Sequence, residues 1–210
     1  MTPAGAPRAP RDGAPVRVVR ANEASWEDLQ TVLGRADYAH HCQCQRQGWA
    51  DAAWFPMPFG ERSFQLRRQT NAGDPAAPAT SGVVAYLGDE PVGWCEVGPR
   101  AGFRRVLNSP VAWKGRAEDK GDPTVWAAVC FVVRLGYRGR HLTYDLARGA
   151  AEHAAAAGAR AIEGYPMTTR PGTEVTWGEL NVGPVSAFLA AGFREVSRPT
   201  PRRVVVRLDL

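Results

Sequence analysis

The segment that begins at Cys130, CFVVRLGYRGRHLTYDLARGA, has the residue types and spacing of an anion-binding site. An apolar run leads into a turn rich in Arg and Gly, and a helical pattern follows. The first backbone N–H groups of a helix lack partners within it, and the helix dipole adds partial positive charge there. Arg138 and Arg140 place full charges on the same turn. The segment therefore predicts binding of phosphate or pyrophosphate.

Hydrophobic periodicity predicts the elements that must position this segment. The continuous apolar run 125–133 is typical of a strand covered on both faces, and residues 83–87 and 92–97 form a predicted antiparallel hairpin. Further strands are predicted at 16–20, 160–165, 194–197 and 203–210, and helices at 25–37, 59–70, 139–157 and 181–191. The polar stretch 100–121 is predicted to run irregularly over the surface. The order indicates a mixed α/β sheet.

The turn after the apolar run resembles motif A of the GNAT acyltransferase superfamily, which reads Arg/Gln-x-x-Gly-x-Gly/Ala. The matching positions here are Arg138, His141 and Thr143. Thr143 is a mild departure, because its hydroxyl could donate to a phosphate. His141 stands where the family has a glycine that lets the backbone approach pyrophosphate closely. Its side chain could crowd the phosphate, or a protonated imidazole could bind it.

Two further segments carry the resemblance. Asn181, Phe188 and the Ala-Gly-Phe at 191–193 look like the motif B helix and the turn after it, and Val92-Gly93-Trp94 is similar to the third strand. The resemblance covers residues 83–210, with 16–35 as the usual opening strand and helix. It implies the GNAT fold, a central mixed sheet flanked by helices, and an acyl-CoA-dependent N-acyltransferase. Phe188 departs from the tyrosine with which many members protonate the leaving thiolate.

The resemblance implies acetyl-CoA as co-substrate and assigns its contacts. Backbone groups of Phe131, Val132 and Val133 would pair with the pantetheine arm as though it were an extra strand. One of their amides would polarise the thioester carbonyl, and Asn181 would hydrogen-bond the pantetheine. The pyrophosphate would lie on backbone amides of the turn: Arg138, Gly139, Arg140, His141, Leu142 and Thr143. The acceptor amine would attack the thioester directly, without a covalent enzyme intermediate.

Proton transfer needs a group close to the thioester with an accessible pKa. Glu163 and Tyr165 alternate on one face of the strand expected beside residues 130–133, which makes them the first acid/base pair to consider. The structural alternative is a buried glutamate bonded to a backbone N–H and a core tyrosine. Glu96 on the hairpin is a second candidate base, and otherwise a solvated residue.

The segment His40-His41-Cys42-Gln43-Cys44 contains metal-ligating residue types. Structural zinc usually takes two separated ligand pairs, and no second CxxC or HxxxH is present. No metal is therefore expected. The segment is instead predicted to line the acceptor pocket together with Trp49, Trp54 and Phe55, or to belong to the core.

Composition narrows the classes of function. The chain has 210 residues and a net charge of +5, and its basic residues are dispersed without an aromatic-interleaved stripe, which argues against nucleic acid. No apolar run reaches the roughly 18 residues of a membrane helix. Residues 1–15 lack an apolar secretory core and are predicted to be a disordered leader to a single domain, 16–210, in the cytoplasm. The four cysteines do not indicate a disulfide framework.

The sequence therefore predicts an acetyl-CoA-dependent N-acetyltransferase that acts on a small-molecule amine. A rival hypothesis is a degenerate GNAT domain that binds a ligand or partner without acetyl transfer, suggested by His141 and Phe188. A third is an enzyme on this fold that uses another acyl donor or performs another reaction. The resemblance also allows a homodimer, because GNAT domains often pair through their terminal strands.

Overall fold

The computed structural model describes residues 15–34, 38–168 and 180–210. The predicted leader up to residue 14, the predicted end of the first helix and the predicted loop before residue 180 lie outside these ranges. Within them, no helix combines the length and apolar character needed to cross a membrane.

Seven strands form one mixed sheet, in the order β1-β2-β3-β4-β5-β7-β6. Their bounds are β1 Val16–Arg20, β2 Val83–Leu87, β3 Glu90–Pro99, β4 Val125–Val133, β5 Ala161–Gly164, β6 Arg194–Thr200 and β7 Arg203–Asp209. Among these seven described strands, β4 and β5 run parallel and are joined by a helical crossover, and the other neighbours are antiparallel. The predicted mixed α/β sheet is confirmed.

The β4 strand parts from β5 halfway along its length. Their pairing covers Val125 to Ala128 of β4, although β4 continues to Val133. On its other side, the register with β3 shifts between Glu96 and Val97, so that Val129 is skipped. Such a bulge bends a strand and increases its twist. The second half of β4 therefore borders a cleft.

The described helices cover both faces of the sheet. They are α1 Trp26–Leu33, α2 Tyr38–Cys42, α3 Asp51–Trp54, α4 Phe59–Thr70, α5 Arg104–Leu107, α6 Leu142–Ala156 and α7 Val185–Ala190. The Ser25 hydroxyl caps α1 by accepting from the Asp28 N–H at 3.0 Å. Two helices begin later than predicted because turns precede them. Left-handed Gly139 and His141 delay α6, and left-handed Gly183 with Pro184 delays α7.

The long helix α6 packs on one face of the sheet, where Leu146 and Ala150 are fully buried. Its contact with β1 is close: a Cβ on Gly149 would lie 2.4 Å from Val18 Cγ1. The opposite face is covered by α1 and α4, which bury Leu29, Leu66 and the indole of Trp94. This second face carries the residues that follow α2.

The surface course predicted for residues 100–121 is wrong in part. Arg100 is fully buried and donates to the carbonyls of Asp119 at 2.5 Å and Lys120 at 3.2 Å. Phe103 and Val106 pack against β4. A charged residue is buried only when partners satisfy it, and the decisive partner of Arg100 is a carboxylate from a distant strand.

Candidate active site

A cavity of about 450 Å³ lies where the second half of β4 meets the start of α6. We call it the donor cavity. Nine of the ten residues predicted to contact the donor line it: Phe131, Val132, Val133, Arg138, Gly139, His141, Leu142, Thr143 and Asn181. Arg140 does not, and its guanidinium instead lies 5.4 Å from the ring of Tyr137. The fold therefore brings two separate sequence segments to one cavity, and their cofactor role stays a prediction.

His141 occupies the N-cap position of α6 in the left-handed region, with φ of 59°. A side chain is disfavoured there, whereas glycine is not. The imidazole makes no cap hydrogen bond and packs edge-to-face on Tyr144 at 5.3 Å between centroids. Because His141 is the N-cap residue of α6, it lies at the positive end of the helix dipole. It also lines the donor cavity.

The edge of β4 that faces the cleft is partly engaged. The Phe131 N–H donates to the Asn181 carbonyl at 2.6 Å, and the Val133 carbonyl accepts from Arg138 Nε at 3.2 Å. A ligand that pairs with this edge as an extra strand would have to exchange at least the first of these bonds.

A second cavity, of about 630 Å³, adjoins the first. We call it the acceptor cavity, and Tyr38 and Asn181 line both. Trp49 lines it as predicted. Trp54 and Phe55 do not belong to its wall: Trp54 is buried under the Arg62 guanidinium, 4.2 Å from its ring, and Phe55 is 63% exposed.

Positive charge prevails among the described residues of the acceptor cavity, where four arginines face one aspartate. They are Arg46, Arg104, Arg105, Arg203 and Asp51. Asp51 pairs with Arg105 at 2.6 Å and with Arg46 at 3.4 Å. Arg104 and Arg203 have no carboxylate partner within the described parts of the chain, so the cavity favours an anionic group.

Glu163 lies at the centre of a buried network of ion pairs and hydrogen bonds and does not line either cavity. Its Oε1 accepts from Arg116 at 2.5 Å and from Arg207 at 3.2 Å. Its Oε2 accepts the Tyr165 hydroxyl at 2.8 Å and lies 3.2 Å from Arg100 Nη1. The Glu163 carboxylate therefore accepts three hydrogen bonds and forms an ion pair with Arg100. This geometry favours a positioning role for Glu163, and its role as base stays a prediction.

Tyr165 does line the acceptor cavity. Burial and the neighbouring Glu163 carboxylate raise its pKa well above the usual range for tyrosine. The phenol therefore stays protonated, with its hydrogen directed at Glu163.

Glu96 is buried, contrary to the solvated alternative, and is 2% exposed. Burial raises the pKa of its carboxyl well above the ordinary value, against a smaller opposing effect of the Gln69 hydrogen bond. It lies opposite Cys130 across the β3–β4 register, just behind the wall of the donor cavity. It is thus a carboxyl that favours its protonated form, one strand away from the predicted thioester.

Known proteins resemble this chain in structure and not detectably in sequence. No protein-family profile matches the sequence, and no curated protein matches it. A GCN5-related N-acetyltransferase from Kribbella flavida superimposes with a TM-score of 0.51 at 19% identity, over 93% of this chain and 98% of that chain. This chain has the GNAT fold.

Two further acetyltransferase structures superimpose with TM-scores below 0.5. The aminoglycoside acetyltransferase AAC(6')-Ib in complex with coenzyme A gives a TM-score of 0.48 at 15% identity, over 93% of this chain and 95% of that one. An N-acetyltransferase from Staphylococcus aureus Mu50 gives 0.49 at 14% identity, over 93% and 99%.

Tyr38 lines both cavities, and the sequence analysis did not single it out. Phe188, at the motif B position, is fully buried and packs edge-to-face between Phe131 and Phe193. Tyr38 is instead 49% exposed where the two cavities meet. Partial burial and the neighbouring Cys42 raise the pKa of its phenol. The only sequence signal was its place at the start of the aromatic-rich segment after the first helix.

Proposed function

We propose that this protein is an acetyl-CoA-dependent N-acetyltransferase that acts directly on a small-molecule amine. The observation that carries the proposal is the donor cavity, in which the end of β4, the turn before α6 and Asn181 converge. The acceptor cavity meets it at Tyr38 and Asn181, which supports attack by an amine held on one side on a thioester held on the other.

Attack of the amine on the thioester needs three things. The tetrahedral oxyanion must be stabilised, the attacking amine must lose a proton, and the leaving thiolate must gain one. A backbone amide of β4 would serve the oxyanion, since preorganised N–H donors do so in acyl transfer. Tyr38 would protonate the leaving thiolate, because a tyrosine phenol carries its proton at neutral pH and Tyr38 lines both cavities. The amine proton would pass to water, or to the Tyr165 hydroxyl as that hydroxyl gives its own proton to Glu163.

The acceptor carries an anionic group. Arg104 and Arg203 line the cavity, and guanidinium pairs with a carboxylate or phosphate in two-point geometry. Positive surroundings also favour the neutral, nucleophilic form of the acceptor amine over its ammonium form.

The first test is calorimetric titration with acetyl-CoA and CoA, followed by thiol release with candidate amines. Saturable binding with amine-dependent release of CoA is the expected result. Binding of another ligand without CoA binding would favour the degenerate domain, and CoA binding without acetyl turnover would favour another donor or reaction.

The acceptor is tested with matched pairs, each an amino acid and its neutral amide. Because a charge-assisted hydrogen bond contributes about 1.5–3 kcal/mol, the acid should be preferred in kcat/KM by roughly tenfold or more. Arg203→Gln should reduce that preference and leave CoA binding unchanged. Equal use of acid and amide by an active enzyme would reject the anionic acceptor but keep the transferase.

A further inference from the structure

Three buried side chains from separate elements converge behind the donor cavity. Cys44 follows α2, Glu96 lies on β3 and Cys130 lies on β4. One ligand atom from each lies within 4.8 Å of the other two. We call this group the thiol–carboxylate cluster.

The spacing of the two sulfurs matches a shared metal ion. The Cys44 and Cys130 Sγ atoms are 3.6 Å apart. Two thiolates bound at about 2.3 Å in a tetrahedral zinc site lie about 3.8 Å apart. A disulfide requires only about 2.05 Å. As thiols the two sulfurs share a hydrogen bond, donated by Cys44, and as thiolates they are spaced to bind one ion in its place.

The carboxylate provides an independent observation. Glu96 is 2% exposed, and its Oε2 has no hydrogen-bond partner among the residues that the structure describes. A buried polar atom without a partner is costly, and a cation held between this oxygen and the sulfurs would satisfy it. The Trp94 indole N–H donates to Cys44 Sγ at 3.2 Å, which is the kind of surrounding hydrogen bond that supports a metal-bound thiolate.

We propose that Cys44, Cys130 and Glu96 bind a thiophilic divalent metal ion of the zinc class. Thiolate sulfur and carboxylate oxygen are both zinc ligands, and three protein ligands leave a fourth position open. Because Cys44 and Cys130 also line the donor cavity, that position faces the cavity and is accessible to water or an external thiol.

Sequence analysis expected no metal because it sought a second ligand pair within the sequence. The sheet provides the missing ligands instead, by placing Glu96 opposite Cys130. Thiols and a carboxyl bind a metal ion in their deprotonated forms, so metal binding must release protons and should strengthen as pH rises.

The test uses reduced, chelator-treated full-length protein titrated with Co²⁺. We expect the intense visible bands of tetrahedral cobalt and a thiolate charge-transfer band, saturating near one ion per chain and abolished by added Zn²⁺. Cys44→Ser and Cys130→Ser should remove the charge-transfer band or weaken binding by about tenfold or more. Cys95→Ser is the matched control, since Cys95 is equally buried but lies outside the cluster, and it should keep both bands.

A second measurement on the unmodified protein does not depend on variants that fold. Zn²⁺ should slow alkylation of Cys44 and Cys130, located by peptide mass, more than that of Cys95. The absence of cobalt–thiolate bands in folded protein would overturn the proposal. So would bands that survive loss of both cysteines, or a Cys44–Cys130 disulfide that forms in air while the reduced protein binds no metal.

Discussion

The Tyr165 hydroxyl donates to Glu163 Oε2 across 2.8 Å, and this bond joins the wall of the acceptor cavity to a buried cluster of charges. Arg116 and Arg207 hold the other carboxylate oxygen, and Arg100 approaches the same oxygen as Tyr165. The direction of the Tyr165 phenol is therefore set by residues that do not touch the cavity's contents.

Glu163→Gln should destabilise the protein strongly. Removing one partner of a buried ion pair costs about 3–5 kcal/mol, because the opposite charge stays buried without compensation. Urea unfolding measures the loss. Glu118→Gln is the control: Glu118 pairs with the same Arg116 but its side chain is 43% exposed, so the loss should stay below about 1 kcal/mol. Equal losses would contradict the central position of Glu163.

Tyr38→Phe should lower kcat by about 10²- to 10⁴-fold, the usual contribution of a general acid, while acetyl-CoA binding changes little. Thiol release and calorimetry measure the two quantities. Tyr144→Phe is a suitable comparison, because Tyr144 also lines the donor cavity but bonds Ser186 at 2.9 Å. If neither variant lowered kcat, neither phenol would be needed to protonate the thiolate, and water would take that role.

If the His141 imidazole binds the pyrophosphate, His141→Asn should bind CoA more weakly, since asparagine tolerates the left-handed conformation but lacks the imidazole. Calorimetric titration of both proteins with CoA measures the difference. Tighter binding by His141→Gly would show that the imidazole crowds the phosphate instead.

Glu96→Gln should raise the stability of the metal-free protein at neutral pH. A raised folded-state pKa means that the unfolded chain ionises first, so Glu96 costs stability once pH exceeds the ordinary glutamate value. Each unit of elevation contributes about 1.4 kcal/mol. The difference between variant and wild type should shrink as pH falls toward 4, where the carboxyl is protonated in both states. A pH-independent difference would mean that Gln acts through packing.

Sequence patterns predicted local features well and long-range ones poorly. The bounds of β4 and α4 match the predicted ranges, because an unbroken apolar run and a helical period are local signals. Arg100 was wrongly predicted to lie at the surface. The carboxylate that pairs with it, Glu163, lies on β5, and a partner so distant in the sequence leaves no local signal. Tyr38 and the thiol–carboxylate cluster depend on how α2 docks against the sheet, and no spacing along the chain encodes that contact.

The hydrogen bond from the Phe131 amide to the Asn181 carbonyl has a second consequence. Beyond Ala128, β4 pairs with no strand on the β5 side within the described ranges, and an open strand edge is a template on which another chain can add a strand. Asn181 blocks one of the amides that such a chain would use. The same contact that a ligand must displace therefore protects the empty protein from intermolecular sheet formation.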